Sequence, residues 1–533
     1  MPMPMISFAI AAAASARLDY CVVGAFALYL VLMLGIGFMF SKRQENLGDY
    51  YLGGRRMNKW VVALSAQASD MSGWLLMGLP GAVFVAGFSE AWIGVGLGIG
   101  TYLNWKIVAH RLRRYSQACG DAITIPDFIS NRFRDDRGIA RMVAAAVILT
   151  FFTFYTASGF VSAAKLFSTM FGISYGAALW IGALVVISYT LLGGYMAVCW
   201  TDFVQGTLMF VAIVLVPAVV ICDAGGFSET VDQLNGINGN LLNLFTSAST
   251  GKACGVIGLA SCMAWGLGYF GMPHILVRFM SIDNPAEVKG SRRIAMTWVF
   301  ISLAASVVIG LVAHLFLKQR GLSLADVGND PEKMFMVMID GIFSGGFLAR
   351  AFAGILLSAI MAAIMSTADS QLLVSASAFS NDLYKRVIHK EASDGELLLV
   401  SRVAVAMVAL VAVLMSMNTE SDFFKVVMKM VSFAWGGFGA SFGPLILLSL
   451  FWRRINLQGA VAGMVTGAAT CFVWKFVLAE NFAKACPIFG LYELAPGFIM
   501  SLVVTVVVSL ATREPPEAVR AEFDSVVAQL DKN

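Results

Sequence analysis

About thirteen runs of mostly apolar residues, each near the roughly 20 that cross a bilayer as a helix, constrain this chain more than any other feature. They lie near residues 20–40, 59–85, 88–110, 140–169, 174–192, 195–222, 253–276, 293–317, 347–385, 396–417, 424–451, 456–478 and 493–511. In hydrocarbon the backbone has no water to bond, so each run must close its own hydrogen bonds as a helix. The remainder cannot clothe a water-soluble body: 13% of the 533 residues are charged, against about 25% in a soluble domain. Mean hydropathy is +0.78. The fold class is therefore an all-α polytopic membrane protein set in a lipid bilayer. The ninth run exceeds one crossing and is expected to extend past the membrane toward DLYKR.

Lys and Arg are retained on the cytoplasmic side of such proteins. Of the 37, 26 fall in or beside the odd-numbered loops and the C-terminal tail, and 11 lie at the other face. Residues 1–19 are thus expected to form an extracytoplasmic tail and residues 512–533 a cytoplasmic one. The first sixteen residues carry no Lys or Arg, so the basic region of a signal peptide is missing and the N-terminal segment reads as retained. The basic clusters adjoin spans, which argues against nucleic acid. The C-terminal tail leaves no room for a signalling domain.

The second run contains SAQASDMSGWLLMGLPG, residues 65–81. A carboxylate at the bilayer centre costs at least about 2.5 to 3.5 kcal/mol, and Ser, Asp and Gly are weak helix formers. The seventh run carries WGLGYFG, with Gly266, Gly268 and Gly271 close together. Breaks at corresponding places in two halves point to a transporter site, because unwound carbonyls bind cations and half-helix N-termini bind anionic groups. A Gly/Ser interface between intact helices is the competing reading. The buried Asp70 favours the ion or substrate path.

In SAIMAAIMSTADSQLL, residues Ala363, Ser366, Thr367 and Ser370 share one helical face. Hydroxyls with carbonyl oxygens make a hard, oxygen-only site that suits Na⁺ better than a transition metal. Such hydroxyls also bond back to their own helix. Asp369 lies beside this face, where it adds charge or reaches an aqueous path. Asp202, in CWTDF, is a further carboxylate in an apolar run, either functional or an interfacial cap. Trp74, Tyr155, Trp265 and Tyr269 sit within spans beside glycine or polar residues, where they can line a small apolar ligand or simply pack.

Other chemistry finds little support. The eight cysteines include no C-x-x-C pair, so neither a disulfide framework nor a thiolate metal site is indicated. The four histidines form no H-E-x-x-H, no G-x-G-D pair of protease type occurs, and no nucleophilic triad emerges. An enzyme is not expected. A channel would share the composition but lack saturable, sodium-dependent uptake.

ASDMSGWLLMGLPGAVF and WGLGYFGMPHILVRFM resemble the sodium/solute symporter family in its proline-transporting branch, and the resemblance runs from about residue 20 to 510. YTLLGGYMA at 189–197 and RINLQGAVAGMVTG at 454–467 match broader patterns of that family, with Tyr195 after the double glycine where Leu, Met or Phe is commoner. The resemblance implies a LeuT-type inverted repeat of five helices. It would comprise residues 59–222 and 253–451, after a peripheral helix at 20–40 and before two helices at 456–511. It implies sodium as coupling ion, held by the carbonyls of Ala68, Met71 and Ala363 and the hydroxyls of Ser366 and Thr367. Asp70 and Asp202 would be sodium-linked carboxylates. L-Proline would lie near Ser72, Gly73, Trp74, Tyr155, Trp265, Tyr269 and Pro273; Met272 stands within this second signature at a position where a more polar residue would be unsurprising. The implied activity is sodium-coupled uptake of L-proline by alternating access across a bacterial cytoplasmic membrane, with no obligate protein partner. The alternative within the family is another small solute: another amino acid, pantothenate, a sugar or a monocarboxylate.

Overall fold

The computed structural model describes residues 19–41, 47–191 and 193–530; the expected tail at 1–19 lies almost wholly outside these, as does Leu192 of YTLLGGYMA. Among the described residues no β-strand forms, and two isolated bridges are the only extended pairing. Along the chain come α1 (Tyr20–Ser41), α2 (Lys59–Asp70), α3 (Leu79–Ala86), α4 (Ala91–Leu103), α5 (Ala109–Ala118) and the short α6 (Ile125–Arg132). Then follow α7 (Ile139–Phe171), α8 (Tyr175–Thr190) and α9 (Tyr195–Asp223). The second half contains α10 (Gly255–Ala264), α11 (Pro273–Ser281), α12 (Val288–Gln319), α13 (Gly346–Ser377), α14 (Asp394–Ser416) and α15 (Val427–Phe451). Last come α16 (Leu457–Val473), α17 (Leu494–Ala511) and α18 (Glu517–Leu530).

Ten helical stretches among the described residues are long and apolar enough to cross a membrane, or eleven when the bent pair around α10 and α11 counts as one span. The expected thirteen and this count differ at two places. Helix α8 is apolar but only 16 residues long, so it falls short of the roughly 20 needed to cross untilted. The second and third expected runs meet in one stretch, Trp74–Ala118. That stretch turns at Gly87, whose φ of +80° suits glycine. The ninth run continues past Ser377 as a π-helical segment to Ile388. Its 41 residues from Gly346 to Arg386 extend about 60 Å at 1.5 Å per residue, so one end projects beyond the bilayer.

Local sequence explains where helices start. Asn58 accepts from the Trp60 and Val61 amides at the head of α2, and Asn456 caps α16 through the Gly459 amide. These side chains satisfy N–H groups that the first turn leaves free. Helix α13 lies in the middle of the protein, packed on α1, α2, α7 and α9. Leu28, Leu184, Phe300, Leu410 and Val507 are exposed on the perimeter, as a surface solvated by lipid requires. The expected C-terminal tail contains a helix: α18 buries Val519, Phe523 and Val526 and pairs Glu522 with Arg134 at 2.6 Å.

Candidate ion and substrate site

Helix α2 stops at Asp70, and Met71 leaves helical geometry at φ −88°, ψ +76°. A π-helical turn, Trp74–Gly78, leads into α3. The break frees carbonyls at the end of α2, and α13 meets them. Ser366 Oγ donates to the Ala68 carbonyl at 2.8 Å, and Thr367 Oγ1 approaches the same oxygen at 3.4 Å. Ser366 Oγ also bonds the Ala363 carbonyl at 3.2 Å. Four of the five expected ion-binding oxygens therefore converge from two helices 298 residues apart in sequence. Met71, whose carbonyl is the fifth, is fully buried one residue past the end of α2 and keeps its N–H on Gln67. All are neutral oxygens. Rotating the hydroxyl protons away would turn the cluster into a cage for a hard monovalent cation.

Asp70 sits at the same break, fully buried. Its Oδ2 accepts the Tyr269 hydroxyl at 2.6 Å, while Oδ1 has no protein partner. Its carbonyl accepts Trp74 Nε1 at 3.0 Å and the Tyr155 hydroxyl at 3.3 Å. Three of the expected aromatic residues are thus gathered on one residue. Ser72 Oγ accepts the Trp74 amide at 3.4 Å. Gly73 is required by packing, because a Cβ there would lie 2.5 Å from Ser162 Oγ on α7.

The second break lies opposite. Helix α10 passes into a 3-10 stretch, Trp265–Gly271, and Pro273 opens α11 after a 47° bend. Asn104 Nδ2 donates to the Tyr269 carbonyl at 2.9 Å, satisfying a group the broken helix leaves free. Trp265 is reached less directly. Its carbonyl accepts Trp435 Nε1 at 2.8 Å, and the Trp435 ring stands edge-on to Tyr269 with centroids 4.9 Å apart. The Trp265 ring itself stacks on Tyr492.

Asp202 is part of a buried ion pair. Its Oδ2 accepts Arg278 Nη2 at 3.0 Å and Ser65 Oγ at 2.7 Å. Arg278 also donates to Ser65 Oγ, to the His274 carbonyl and, at 2.5 Å, to Ser370 Oγ. This network ties α2, α9 and α11 to the helix that carries Ser366 and Thr367. Arg278 follows the apolar run at 253–276 by two residues, yet it is 1% exposed. A lone arginine so close to an apolar run, with an unpaired aspartate in another, was the available signal. Asp369 accepts the Thr190 hydroxyl of α8 and is fully buried. Trp435 and Tyr492 carried no signal, being ordinary aromatics in apolar surroundings.

Buried charges close both ends of the bundle. At one end Lys165 pairs with Glu332 at 2.5 Å and Asp330 at 2.8 Å, and Glu332 also accepts the Val427 and Met428 amides at the head of α15. At the other, Arg141 joins Asp127 at 2.5 Å and Asp382 at 3.3 Å.

Comparison with known proteins agrees with this geometry. Residues 50–467 match the profile of the sodium:solute symporter family. The chain is 46% identical to the "High-affinity proline transporter PutP" of Bacillus subtilis, over 92% of this chain and 98% of the relative. It is 44% identical to the "Sodium/proline symporter" of Escherichia coli, over 93% and 94% respectively. Among solved structures, a Na⁺-coupled sialic acid symporter in a substrate-bound outward-open state superposes with a TM-score of 0.74 at 19% identity, covering 93% of this chain and 99% of that one. The shared architecture is the LeuT-type fold.

Proposed function

The chain belongs to the sodium:solute symporter family, and from that premise we propose how its residues divide the work of transport. It is a multi-pass membrane transporter, not an enzyme, that couples sodium to the uptake of L-proline. The long relatives named for proline transport support this substrate. The observation that carries the site reading is the meeting of Ser366 and Thr367 with the Ala68 carbonyl across the break after Asp70.

In this reading sodium binds the carbonyls of Ala68, Met71 and Ala363 and the hydroxyls of Ser366 and Thr367. Its charge repays the exposure of carbonyls that the broken helix cannot bond. By bridging α2 to α13 the ion orders the break, and with it Ser72, Gly73 and Trp74. Proline is a zwitterion with a compact apolar ring. Amides near Ser72 and Gly73 meet its carboxylate, and Trp74, Tyr155, Trp265 and Tyr269, with Pro273, cover the ring. Asp70 supplies the negative charge that favours a nearby cation and fixes Tyr269. Asp202 acts at one remove, holding Arg278 and through it Ser370 on the sodium helix. Because each ligand orders the other's site, the coupling is reciprocal.

The two breaks lie in segments 59–222 and 253–451, which we assign to the two inverted five-helix repeats. Alternating access then requires the ion pairs of Lys165 and Arg141 to part in turn. The excess of Lys and Arg in the odd-numbered loops supports a C-terminus inside and an N-terminus outside a bacterial cytoplasmic membrane.

Proteoliposomes test the assignment. L-Proline uptake should saturate and rise with an inward sodium gradient, and an excess of unlabelled proline should compete better than other amino acids, pantothenate, sugars or monocarboxylates. Preferential competition by one of those solutes would move the substrate assignment to it. Tags placed at the two termini should be reachable from opposite faces of intact cells; tags on one face would contradict the orientation.

A further inference from the structure

Tyr492 lies in the short segment between α16 and α17, outside both repeats. It is nevertheless the residue that holds the Trp265 ring. The two rings stack with centroids 5.3 Å apart and planes 27° apart. Tyr492 is fixed from three directions. Its hydroxyl donates to the Ser432 carbonyl on α15 at 2.6 Å, and its amide donates to Ser261 Oγ on α10 at 3.0 Å. The preceding carbonyl, of Leu491, accepts Trp474 Nε1 at 2.9 Å.

Trp265 needs such support because it stands where α10 gives way to the 3-10 stretch, so regular helical packing does not set its side chain. Its carbonyl is held by Trp435, which leaves the indole ring to be oriented by what it stacks on. We infer that Tyr492 is a positioning residue for proline that acts through Trp265: it does not touch the substrate but holds the indole in the attitude the substrate meets. The inference rests on Trp265 lining the proline site. The competing role for Tyr492 is to anchor the last span.

The size of the effect follows from the contact. Aromatic pairs of this kind contribute enough that losing one, if felt wholly in substrate affinity, weakens binding roughly three- to tenfold. Tyr492→Phe keeps the stack and loses the hydroxyl anchor; Tyr492→Leu loses both.

The test is sodium-driven L-proline uptake by the full chain in proteoliposomes, normalised to protein, for Tyr492→Phe, Tyr492→Leu, Trp265→Leu and the double Leu variant. Tyr492→Leu should raise the KM for proline roughly three- to tenfold with little change in maximal rate. Tyr492→Phe should restore most of the wild-type KM. In the Trp265→Leu background, Tyr492→Leu should add almost nothing, as expected for two residues acting in series. Additive KM effects, or a lower maximal rate at unchanged KM, would overturn the inference in favour of the anchoring role. If Trp265→Leu raises KM and Tyr492→Leu does not, the inference alone falls. If Trp265→Leu leaves KM unchanged, the assignment of Trp265 to the proline site falls and takes the inference with it. Should Tyr492→Leu fail to reach the membrane, Tyr492→His, with a smaller flat ring, makes the same comparison and should show a smaller rise in KM.

Discussion

The hydroxyl of Tyr269 donates to the carboxylate of Asp70 across 2.6 Å, joining the break in the second span to the break in the seventh. The contact explains why both interruptions occur in one protein: each supplies a group that the other orders.

If the charge serves sodium coupling, Asp70→Asn should raise the sodium concentration for half-maximal uptake much more than Asp70→Glu does. Tyr269→Phe keeps the ring and loses only the bond to the carboxylate. A hydrogen bond to a charged group contributes about 1.5 to 3 kcal/mol, so proline affinity should fall about tenfold or more in that variant. Uptake kinetics at fixed sodium and at fixed proline read both effects. A packing role for Asp70 gives the opposite order: Asn mild, Glu severe through crowding, and protein yield lost before sodium dependence shifts.

Asp202 and Arg278 are 0% and 1% exposed, so neither charge can be rehydrated if its partner is removed. Breaking such a pair costs about 3 to 5 kcal/mol, whereas replacing both members costs less. Asp202→Asn or Arg278→Gln should each lower the unfolding temperature in detergent, and the double variant should recover part of the loss. Equal or additive losses would show that the two charges are not mutually compensating.

Much of this was legible in the sequence wherever a residue was costly in its surroundings. Asp70 in an apolar run and glycines clustered in two runs both demanded compensation, and both mark the breaks. From spacing alone Ser366 and Thr367 were legible as a helical face; their meeting with Ala68, a contact between segments far apart in the chain, was legible only through the family resemblance. Arg278 was hidden by where the apolar run was taken to end, although its partner Asp202 was visible. Trp435 was hidden for the opposite reason, since an aromatic residue costs nothing in a membrane span; Tyr492 lies between two spans, where nothing in composition marks it as the partner of Trp265. The count of long apolar helices falls short of thirteen at the 16-residue α8, whereas the 45 residues of Trp74–Ala118, which turn at Gly87, cover parts of two expected runs.

Gly268 offers a test of the aromatic frame around the second break. A Cβ built there would enter the indole of Trp435, so Gly268→Ala must displace the ring that meets Tyr269. Overpacking of a close contact costs about 1 to 3 kcal/mol, and here the displacement falls on the substrate side. Gly268→Ala should weaken proline uptake sharply, while Gly239→Ala, with open space around it, should behave as wild type in yield and in KM. Wild-type proline KM in Gly268→Ala would show that the Trp435 frame does not shape the site.

The central claim is that sodium between α2 and α13 assembles the proline site, and equilibrium binding to purified protein tests it without any transport step. The Kd for L-proline should fall as sodium replaces choline at constant ionic strength, and saturating proline should lower the Kd for sodium by the same factor. Ser366→Ala, which removes one hydroxyl from the Ala68 carbonyl, should shift the sodium dependence to higher concentration while leaving proline affinity at saturating sodium near wild type. A proline Kd that is the same in sodium and in choline would contradict the account.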